Sequence, residues 1–297
     1  MNTVPPGARP AAPRPLLPAA SDFTALPLPG RSHPRLAALV HGGGAPLLMV
    51  HGSLSDARYW APQIPALSAD RRLYAPSLRD YFPNRDAAGG LPDLDWERDV
   101  EDMAALIAGL DAGPVDVMGH SRGGYIAYQL ALRHPALVRR LVLAEPGGAL
   151  PGSDAAPLRT WQEELAGLLS GGFTEQAVER FVDGVSRPGT WRQSPPEFRR
   201  MALDNAHTLP GQLRNPLPAH RPEQASQLRA PVLLVYGERS PRRFRDVVQA
   251  LAGWLPRARA VGIPGASHGM NLAHPRAFNA AVGAFLSESS LEPAPQH

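Results

Sequence analysis

The chain has 297 residues, of which 43% are hydrophobic and 19% are charged, so its composition is that of an ordinary globular protein with a sizeable core. It contains no cysteine and all 30 of its Lys and Arg residues are arginine, which excludes thiol nucleophiles, thiolate metal sites and lysine Schiff bases. The formal net charge is only +3 and the arginines are scattered, which argues against nucleic-acid binding.

The two ends of the chain are expected to lack regular structure. Residues 1–20 are so rich in proline that neither a signal peptide nor a helix fits them, and we expect a disordered leader there and a disordered tail at 289–297. No apolar run approaches the roughly 18 residues needed to span a bilayer. This pattern favours a cytoplasmic protein that does not act at a membrane.

Between the ends, short apolar runs alternate with segments of helical period. This alternation is typical of a parallel sheet covered by helices. Asp95 is a candidate N-cap for one helix, and Pro275 is placed to begin another, with Phe278, Val282 and Phe285 on its apolar face. The predicted strands cover residues 36–40, 46–50, 73–75, 115–118, 138–144, 231–236 and 258–263.

Residues 146–230 interrupt the alternation. They contain no convincing strand but three helix signals, the last a capping box from Ser194 to Glu197 with Pro195 in the first turn. A structureless connection of this length is rare in a compact domain. We therefore expect residues 146–230 to form a helical cap over a core built from 21–145 and 231–288; an independent helical domain packed elsewhere is the alternative.

A serine between two glycines marks the transition from the predicted strand 115–118 to a helix. Gly119-His120-Ser121-Arg122-Gly123 has the Gly-x-Ser-x-Gly pattern, in which a sharp turn exposes the hydroxyl and small neighbours avoid crowding. The same pattern recurs around Ser267, but there a loop follows it rather than a helix. We therefore predict that Ser121 is the nucleophile.

Two further segments are placed to complete a site for acyl transfer. A glycine after the strand 46–50 lets backbone N–H groups face a cavity, and the N–H groups of Ser53 and Arg122 are the predicted oxyanion donors. Among ten histidines, His268 is the best candidate base, because it follows strand 258–263 at the sheet edge where sites assemble. His120 is interpreted as a packing residue, and His220 as a surface or helix-capping residue.

Together these segments resemble the α/β-hydrolase fold family, in its capped serine-esterase and epoxide-hydrolase-like group. The matching stretches are V-H-G-S at 50–53, G-H-S-R-G-G at 119–124, P-V-L-L-V-Y-G-E at 231–238 and I-P-G-A-S-H at 263–268, in the family's order. The resemblance implies a mostly parallel central sheet flanked by helices, with a helical cap inserted after the sixth strand. It also implies a Ser-His-acid triad that needs no cofactor or metal.

The acid of that triad is where the chain departs from the family's pattern. Relatives usually carry an aspartate in the loop after the strand that matches 231–236, and this chain has Ser240 there, which cannot stabilise an imidazolium by charge. Some relatives place the acid at the end of the preceding strand, where Glu145 lies. We rank Glu145 first, Glu238 second and the loss of a functional acid third; a salt bridge to an arginine of the cap is the structural alternative for Glu145.

A serine at the nucleophile position argues against halide displacement and epoxide opening, which need a carboxylate there in the resembling family. The resemblance therefore implies a serine hydrolase that forms an acyl-enzyme, and it favours a carboxylic ester or lactone because these are the commonest substrates of the group. Carbon–carbon bond or amide hydrolysis on the same fold, or a binding protein without turnover, are the alternatives. The aromatic residues of the expected cap favour a small apolar substrate, although such residues also serve packing; they are Trp161, Phe173, Phe181, Trp191 and Phe198.

Overall fold

The computed structural model describes residues 18, 20–84, 92, 94–154 and 156–288. The predictions of a disordered tail at 289–297 and, apart from residues 18 and 20, of a disordered leader at 1–20 lie outside this part of the chain. Within the described part, no helix has the length and apolar character that crossing a membrane requires.

An eight-stranded sheet forms the centre of the molecule. Its strands are β1 (Thr24–Pro27), β2 (Arg35–His41), β3 (Ala45–Val50), β4 (Arg71–Pro76), β5 (Val115–His120), β6 (Val138–Ala144), β7 (Val232–Gly237) and β8 (Ala258–Ile263). They lie in the order β1-β2-β4-β3-β5-β6-β7-β8. The β1–β2 and β2–β4 pairs are antiparallel and the other pairs are parallel. The predicted mostly parallel sheet is confirmed.

Helices cover both faces of this sheet and also fill the interval between β6 and β7. They are α1 (Ile64–Leu67), α2 (Trp96–Gly109), α3 (Arg122–Arg133), α4 (Ala156–Ser170), α5 (Thr174–Val185), α6 (Thr190–Gln193), α7 (Pro196–Asp204), α8 (Leu209–Arg214), α9 (Pro222–Ala225), α10 (Arg242–Trp254), α11 (Met270–Ala273) and α12 (Pro275–Ser287). The Asp95 side chain accepts a hydrogen bond from the Glu97 N–H and caps α2, as predicted. Pro275 begins α12, as predicted.

The core lies on both faces of the sheet because successive strand residues point to opposite sides. Leu48 and Val50 of β3 pack with apolar residues of α2, α3 and α10 on one face. Leu47 and Met49 pack on the other face, where the apolar stripe of α12 covers the sheet. The result is a sheet between two layers of helices, as the alternating sequence pattern predicts.

The insertion, residues 146–230, follows the sixth strand, and its described residues form helices α4 to α9 and no strand. It has a small apolar core of its own, which includes Leu54 from the loop after β3. Trp191 lies in this core and Phe198 packs against it, while Phe173 is exposed. The aromatic residues singled out in the sequence therefore serve mainly to pack the insertion.

The predicted capping box at the start of α7 is wrong. The helix begins at Pro196, and its N-cap residue Pro195 makes no side-chain capping bond. The Ser194 hydroxyl instead donates a hydrogen bond to the Thr190 carbonyl in the preceding turn, at 2.8 Å. The Ser194 N–H also donates to the preceding turn, to the Trp191 carbonyl at 3.2 Å, so both groups that Ser194 would bring to a capping box are bound elsewhere.

A buried polar cluster attaches the insertion to the loop after β3. The Arg58 guanidinium binds the Asp56 carboxylate of the same loop at 2.6 and 2.8 Å and Asp204 of the insertion at 2.9 Å. Asn205 donates a hydrogen bond from its side-chain amide to Asp56, at 2.7 Å. The insertion is therefore fixed to a loop at the carboxyl edge of the parallel strands, where ligands bind in sheets of this kind.

Candidate active site

Ser121 lies on a strained turn between β5 and α3. Its φ of 53° and ψ of −122° are values that only glycine adopts readily, and strain of this kind concentrates at functional sites. The flanking glycines make the turn possible. A Cβ atom on Gly119 would lie 2.3 Å from the Gly123 carbonyl oxygen, and one on Gly123 would lie 2.2 Å from that of His51. Both positions of the predicted motif thus require glycine.

Glu145 lies directly beside this turn. The register of β5 and β6 pairs His120 with Ala144, so that the next residues along the two strands, Ser121 and Glu145, are neighbours. The Ser121 N–H donates to the Ala144 carbonyl at 3.0 Å, and the Gly147 N–H donates to the Ser121 carbonyl at 2.8 Å. The backbone of Ser121 is therefore held by residues on both sides of Glu145.

The Glu145 carboxylate is fully buried and both of its oxygens are hydrogen-bonded. His268 Nδ1 lies 2.6 Å from Oε2, and the Gly237 N–H donates to Oε1 at 2.8 Å. Since a carboxylate only accepts, Nδ1 carries the proton of this bond, and in an imidazole with a single N–H the acceptor is then Nε2. The ring also stacks on Phe244, with 4.1 Å between ring centroids. These two contacts fix the orientation of the His268 ring.

The structure separates the two candidate acids. Glu238 is exposed, whereas Glu145 contacts His268. Ser240, in the position where relatives carry the acid, is buried, and its hydroxyl has no hydrogen-bond partner among the described residues. Within the described part of the chain, Glu145 pairs with His268 and not with an arginine of the insertion.

The predicted oxyanion donors lie next to the same turn. A Cβ atom on Gly52 would lie 3.1 Å from the Cβ atom of Ser121, so the loop after β3 touches the turn that carries Ser121. Arg122 is the first residue of α3, where backbone N–H groups lack helical partners and the helix dipole favours negative charge. Neither the Ser53 N–H nor the Arg122 N–H has an acceptor among the described residues. Both are free to bind a developing oxyanion.

The hydrogen bonds of the described residues join His268 to Glu145 and not to Ser121. The Ser121 turn reaches the loop of His268 through its neighbour instead. His120 Nε2 donates to the His268 carbonyl at 2.8 Å, and burial lowers the pKa of His120 well below its usual value, which keeps the ring neutral. His120 packs, as predicted, and also connects the Ser121 turn to the loop of His268.

The interpretation of His220 as a surface or helix-capping residue is wrong. This side chain is 1% exposed, and its Nε2 donates to the Gly147 carbonyl at 2.7 Å. Burial lowers the pKa of His220 to about 4. Its neighbours in the sequence include Pro218, Arg221 and Pro222, and its burial depends on how the end of the insertion folds back on Gly147, so no local pattern could have indicated it.

Comparison with known proteins identifies relatives of the whole core. Residues 47–281 match the alpha/beta hydrolase family. The chain is 26% identical to the 2-hydroxymuconate semialdehyde hydrolase of Pseudomonas sp. strain CF600, over 84% of this chain and 89% of that protein. It is 29% identical to a pimeloyl-[acyl-carrier protein] methyl ester esterase of Yersinia enterocolitica, over 84% of this chain and 95% of the relative. A hydrolase structure from Pseudomonas aeruginosa PA01 shares the fold, with a TM-score of 0.75 and 24% identity over 91% of this chain and 100% of that one.

Proposed function

Because the chain belongs to the alpha/beta hydrolase family, we propose that it is a serine hydrolase that cleaves a carboxylic ester or lactone through an acyl-enzyme. The observation that carries the proposal is the buried hydrogen bond between Glu145 and His268 beside the strained turn of Ser121. A carboxylate that orients an imidazole next to a serine is the arrangement that activates a hydroxyl for nucleophilic attack. The esterase name of the Yersinia relative supports the same class of substrate.

In the proposed reaction, the Ser121 hydroxyl attacks the substrate carbonyl while His268 Nε2 takes its proton. Glu145 stabilises the imidazolium that forms, and the N–H groups of Ser53 and Arg122 bind the oxyanion of the tetrahedral intermediate. His268 then gives the proton to the leaving alkoxide, and the acyl group stays on Ser121. A water molecule, deprotonated by His268, releases the acid and restores the serine. The Ser121 hydroxyl must rotate to Nε2 when substrate binds, since catalytic hydrogen bonds often tighten only in the complex.

We also propose that residues 146–230 act as a cap, with 21–145 and 231–288 as the catalytic core. Ser186 of the insertion hydrogen-bonds to Ser267, the neighbour of His268, at 3.1 Å between the hydroxyl oxygens. The Arg58 cluster attaches the insertion to the loop that carries Ser53. Contacts to both loops support a binding site for the acyl or alcohol part of the substrate between the insertion and the edge of the sheet.

Carbon–carbon bond hydrolysis is the second candidate. The Pseudomonas relative, which matches 84% of the chain, is named for a semialdehyde rather than for an ester. Such an activity would use the same serine, base and oxyanion donors, so the site geometry is compatible with both reactions. The substrate therefore has to be decided by assay.

Turnover of p-nitrophenyl butyrate by Ser121→Ala and Ser267→Ala variants tests the proposal. We expect Ser121→Ala to lose at least about 1,000-fold in kcat because the nucleophile is gone. Ser267→Ala is the matched control, since this serine has the same Gly-x-Ser-x-Gly surroundings but bonds to Ser186. Turnover that persists in Ser121→Ala would contradict the proposal. Cleavage of a vinylogous diketone without ester turnover would favour the second candidate, and inertness towards both substrates would favour a binding protein.

A further inference from the structure

We propose that Gln212 of the insertion is a positioning residue for the oxyanion site, acting through Ser53. The inference rests on the proposed function, since it assigns a task within the same reaction. Gln212 lies on α8, 159 residues away from Ser53 in the chain, yet its Oε1 accepts a hydrogen bond from the Ser53 hydroxyl at 2.5 Å. A side chain of the insertion thus binds the residue whose N–H is the first oxyanion donor.

The orientation of the Gln212 amide is fixed by its second partner. Its Nε2 donates to the Thr208 hydroxyl oxygen at 3.1 Å, and that hydroxyl gives its own proton to the Asn205 carbonyl at 2.7 Å. With its proton committed, the Thr208 oxygen can only accept, so Gln212 must turn its NH₂ group to Thr208 and its carbonyl to Ser53. The chain of bonds specifies Gln212 as the acceptor of the Ser53 proton.

Among the described residues, the backbone N–H is the polar group of Ser53 that has no partner. The hydroxyl donates to Gln212, and the carbonyl accepts from the Ser55 hydroxyl at 3.1 Å. Gly52, the preceding residue, is confined by the nucleophile turn, where a Cβ atom would lie 3.1 Å from both the His120 carbonyl oxygen and Ser121 Cβ. The Ser53 peptide is therefore held from both sides, while its N–H has no acceptor in the part of the chain that the structure describes. A donor held in place before reaction stabilises an oxyanion without reorganisation.

The support behind Gln212 is itself anchored to the same loop. Asn205, which accepts the Thr208 proton, donates its side-chain amide to Asp56, three residues after Ser53. Ser53 binds Gln212 of α8, and Arg58 binds Asp204 of α7. Both ends of the 53–58 segment are therefore attached to these two helices of the insertion. Gln212 is the member of this network that contacts the oxyanion residue directly.

A double-mutant cycle on p-nitrophenyl butyrate turnover tests the assignment. Gln212→Met keeps the volume of the side chain and removes the acceptor, while Ser53→Ala keeps the backbone N–H and removes the hydroxyl. We expect Gln212→Met to lower kcat about tenfold with little change in KM, less than the 100-fold or more typical when a donor is removed outright. Binding of a trifluoromethyl ketone, which forms a tetrahedral adduct with the serine, should weaken by the same factor. In the Ser53→Ala background, Gln212→Met should cause no further loss.

Asn215→Ala is the matched control, because Asn215 ties the end of the same helix to the Leu94 carbonyl at 2.8 Å and does not touch Ser53. We expect it to leave kcat unchanged. Wild-type kcat in Gln212→Met, additive losses in the double variant, or an equal loss in Asn215→Ala would each overturn the assignment. Activity that persists in Ser121→Ala would instead contradict the proposed function. Failure of the Gln212 assignment can therefore be distinguished from failure of the proposed function.

Discussion

At the scale of single residues, Glu145 combines a strained backbone conformation with a fully hydrogen-bonded carboxylate. Its φ of 43° lies in the left-handed region, which costs a residue other than glycine roughly 1 kcal/mol or more. The Glu145 N–H donates to the Val235 carbonyl at 3.0 Å, so the neighbouring strand holds the residue in this conformation. Ser121, its neighbour across the sheet, is strained in the same way. Leu54 and Asp111 are the other described non-glycine residues with positive φ; of the four, Ser121 and Glu145 are those to which we assign the nucleophile and the acid.

Glu145→Gln and Glu238→Gln form a matched pair for the identity of the acid. We expect Glu145→Gln to lower kcat by about 100- to 10,000-fold, because an amide cannot stabilise the imidazolium of His268 by charge. Glu238→Gln should remain close to wild type, since this side chain is exposed. Turnover of p-nitrophenyl butyrate, with thermal unfolding as a check on folding, measures both. The opposite ranking would move the acid to the loop after β7.

A second prediction concerns Asp99, a buried carboxylate outside the proposed triad. Burial raises its pKa from 3.8 to about 7, against the attraction of the Arg122 guanidinium. Between these two values the unfolded chain ionises while the folded protein keeps the proton, so stability falls as pH rises, by at most about 1.4 kcal/mol per pH unit. Asp99→Asn removes this dependence. We expect the free energy of unfolding of the variant to rise relative to wild type between pH 4.5 and pH 7.5.

Urea unfolding of both proteins across that range measures the difference. The absolute stability of the variant is not the test, because the Asp99→Asn change also replaces a carboxyl group that interacts with Arg122 when it ionises. The other titrating groups are common to both proteins, so their contributions cancel in the difference. Stability curves that stay parallel across the range would show that Asp99 is ionised throughout.

Candidate site residues could be proposed from the sequence where a local motif surrounds them. Ser121 and His268 lie at strand ends with glycine around them, a signal that survives without any knowledge of tertiary contacts. Local pattern alone does not separate Glu145 from Glu238, because both follow an apolar run; the resemblance ranked Glu145 first, and in the structure Glu145 contacts His268. No sequence pattern predicts the role that we propose for Gln212. Its contact with Ser53 exists only in the folded protein, because the two residues are 159 positions apart in the chain.

At the scale of elements, the approach of α3 to the sheet depends on small residues. Cβ atoms on Gly119 and Gly123 would overlap backbone atoms, and one on Gly124 would lie 2.9 Å from the Pro146 Cα. Three glycines thus let the first turn of α3 contact the ends of β3, β5 and β6 at backbone distance. This contact brings the N-terminus of α3, with its unpaired N–H groups, to the carbonyl that Ser121 attacks in the proposed reaction.

Gly123→Ala and Gly167→Ala test this close contact with the same substitution in two helices. At Gly123 the new methyl group would lie 2.2 Å from the His51 carbonyl oxygen, whereas at Gly167 of α4 it would meet no atom within 4 Å. We expect Gly123→Ala to destabilise the protein and abolish turnover. Gly167→Ala should stabilise it by about 0.5–1 kcal/mol, because alanine favours the helix. Equal effects in calorimetry would contradict the argument.

Secondary structure was predictable wherever an element buries a full face. The seven predicted strands all occur, because each carries a mostly apolar run in a sheet covered on both sides, although Asp116 interrupts β5, two arginines interrupt β6 and Arg259 interrupts β8. Strand β1 was missed because it is an antiparallel edge strand of four residues in which only Leu26 is buried. Its terminal proline also argues against a strand, although edges tolerate proline. Tertiary pairing with β2, rather than local propensity, forms it.

At the scale of the whole molecule, several hydrogen bonds connect the insertion to the loops of the core. Arg58 and Asn205 link the insertion to the loop after β3, Ser186 links it to the loop of His268, and Arg243 donates to the Gly184 carbonyl at 2.7 Å. Each contact lies at the carboxyl edge of the parallel strands. The positions of the loops that carry Ser53 and His268 therefore depend on the folding of the insertion.

Arg58→Met and Arg192→Met test that dependence. Arg58 is 5% exposed and neutralises the buried Asp56, so its removal leaves an unpaired buried charge and should destabilise the protein by about 3–5 kcal/mol. The Arg192 side chain is 80% exposed in its pair with Glu179, and we expect a change within about 0.5 kcal/mol. Hydrogen exchange should rise in Arg58→Met at both 53–60 and 196–215, since one cluster holds both segments. Exchange that rises in the insertion alone would show that the loop of Ser53 keeps its position without it.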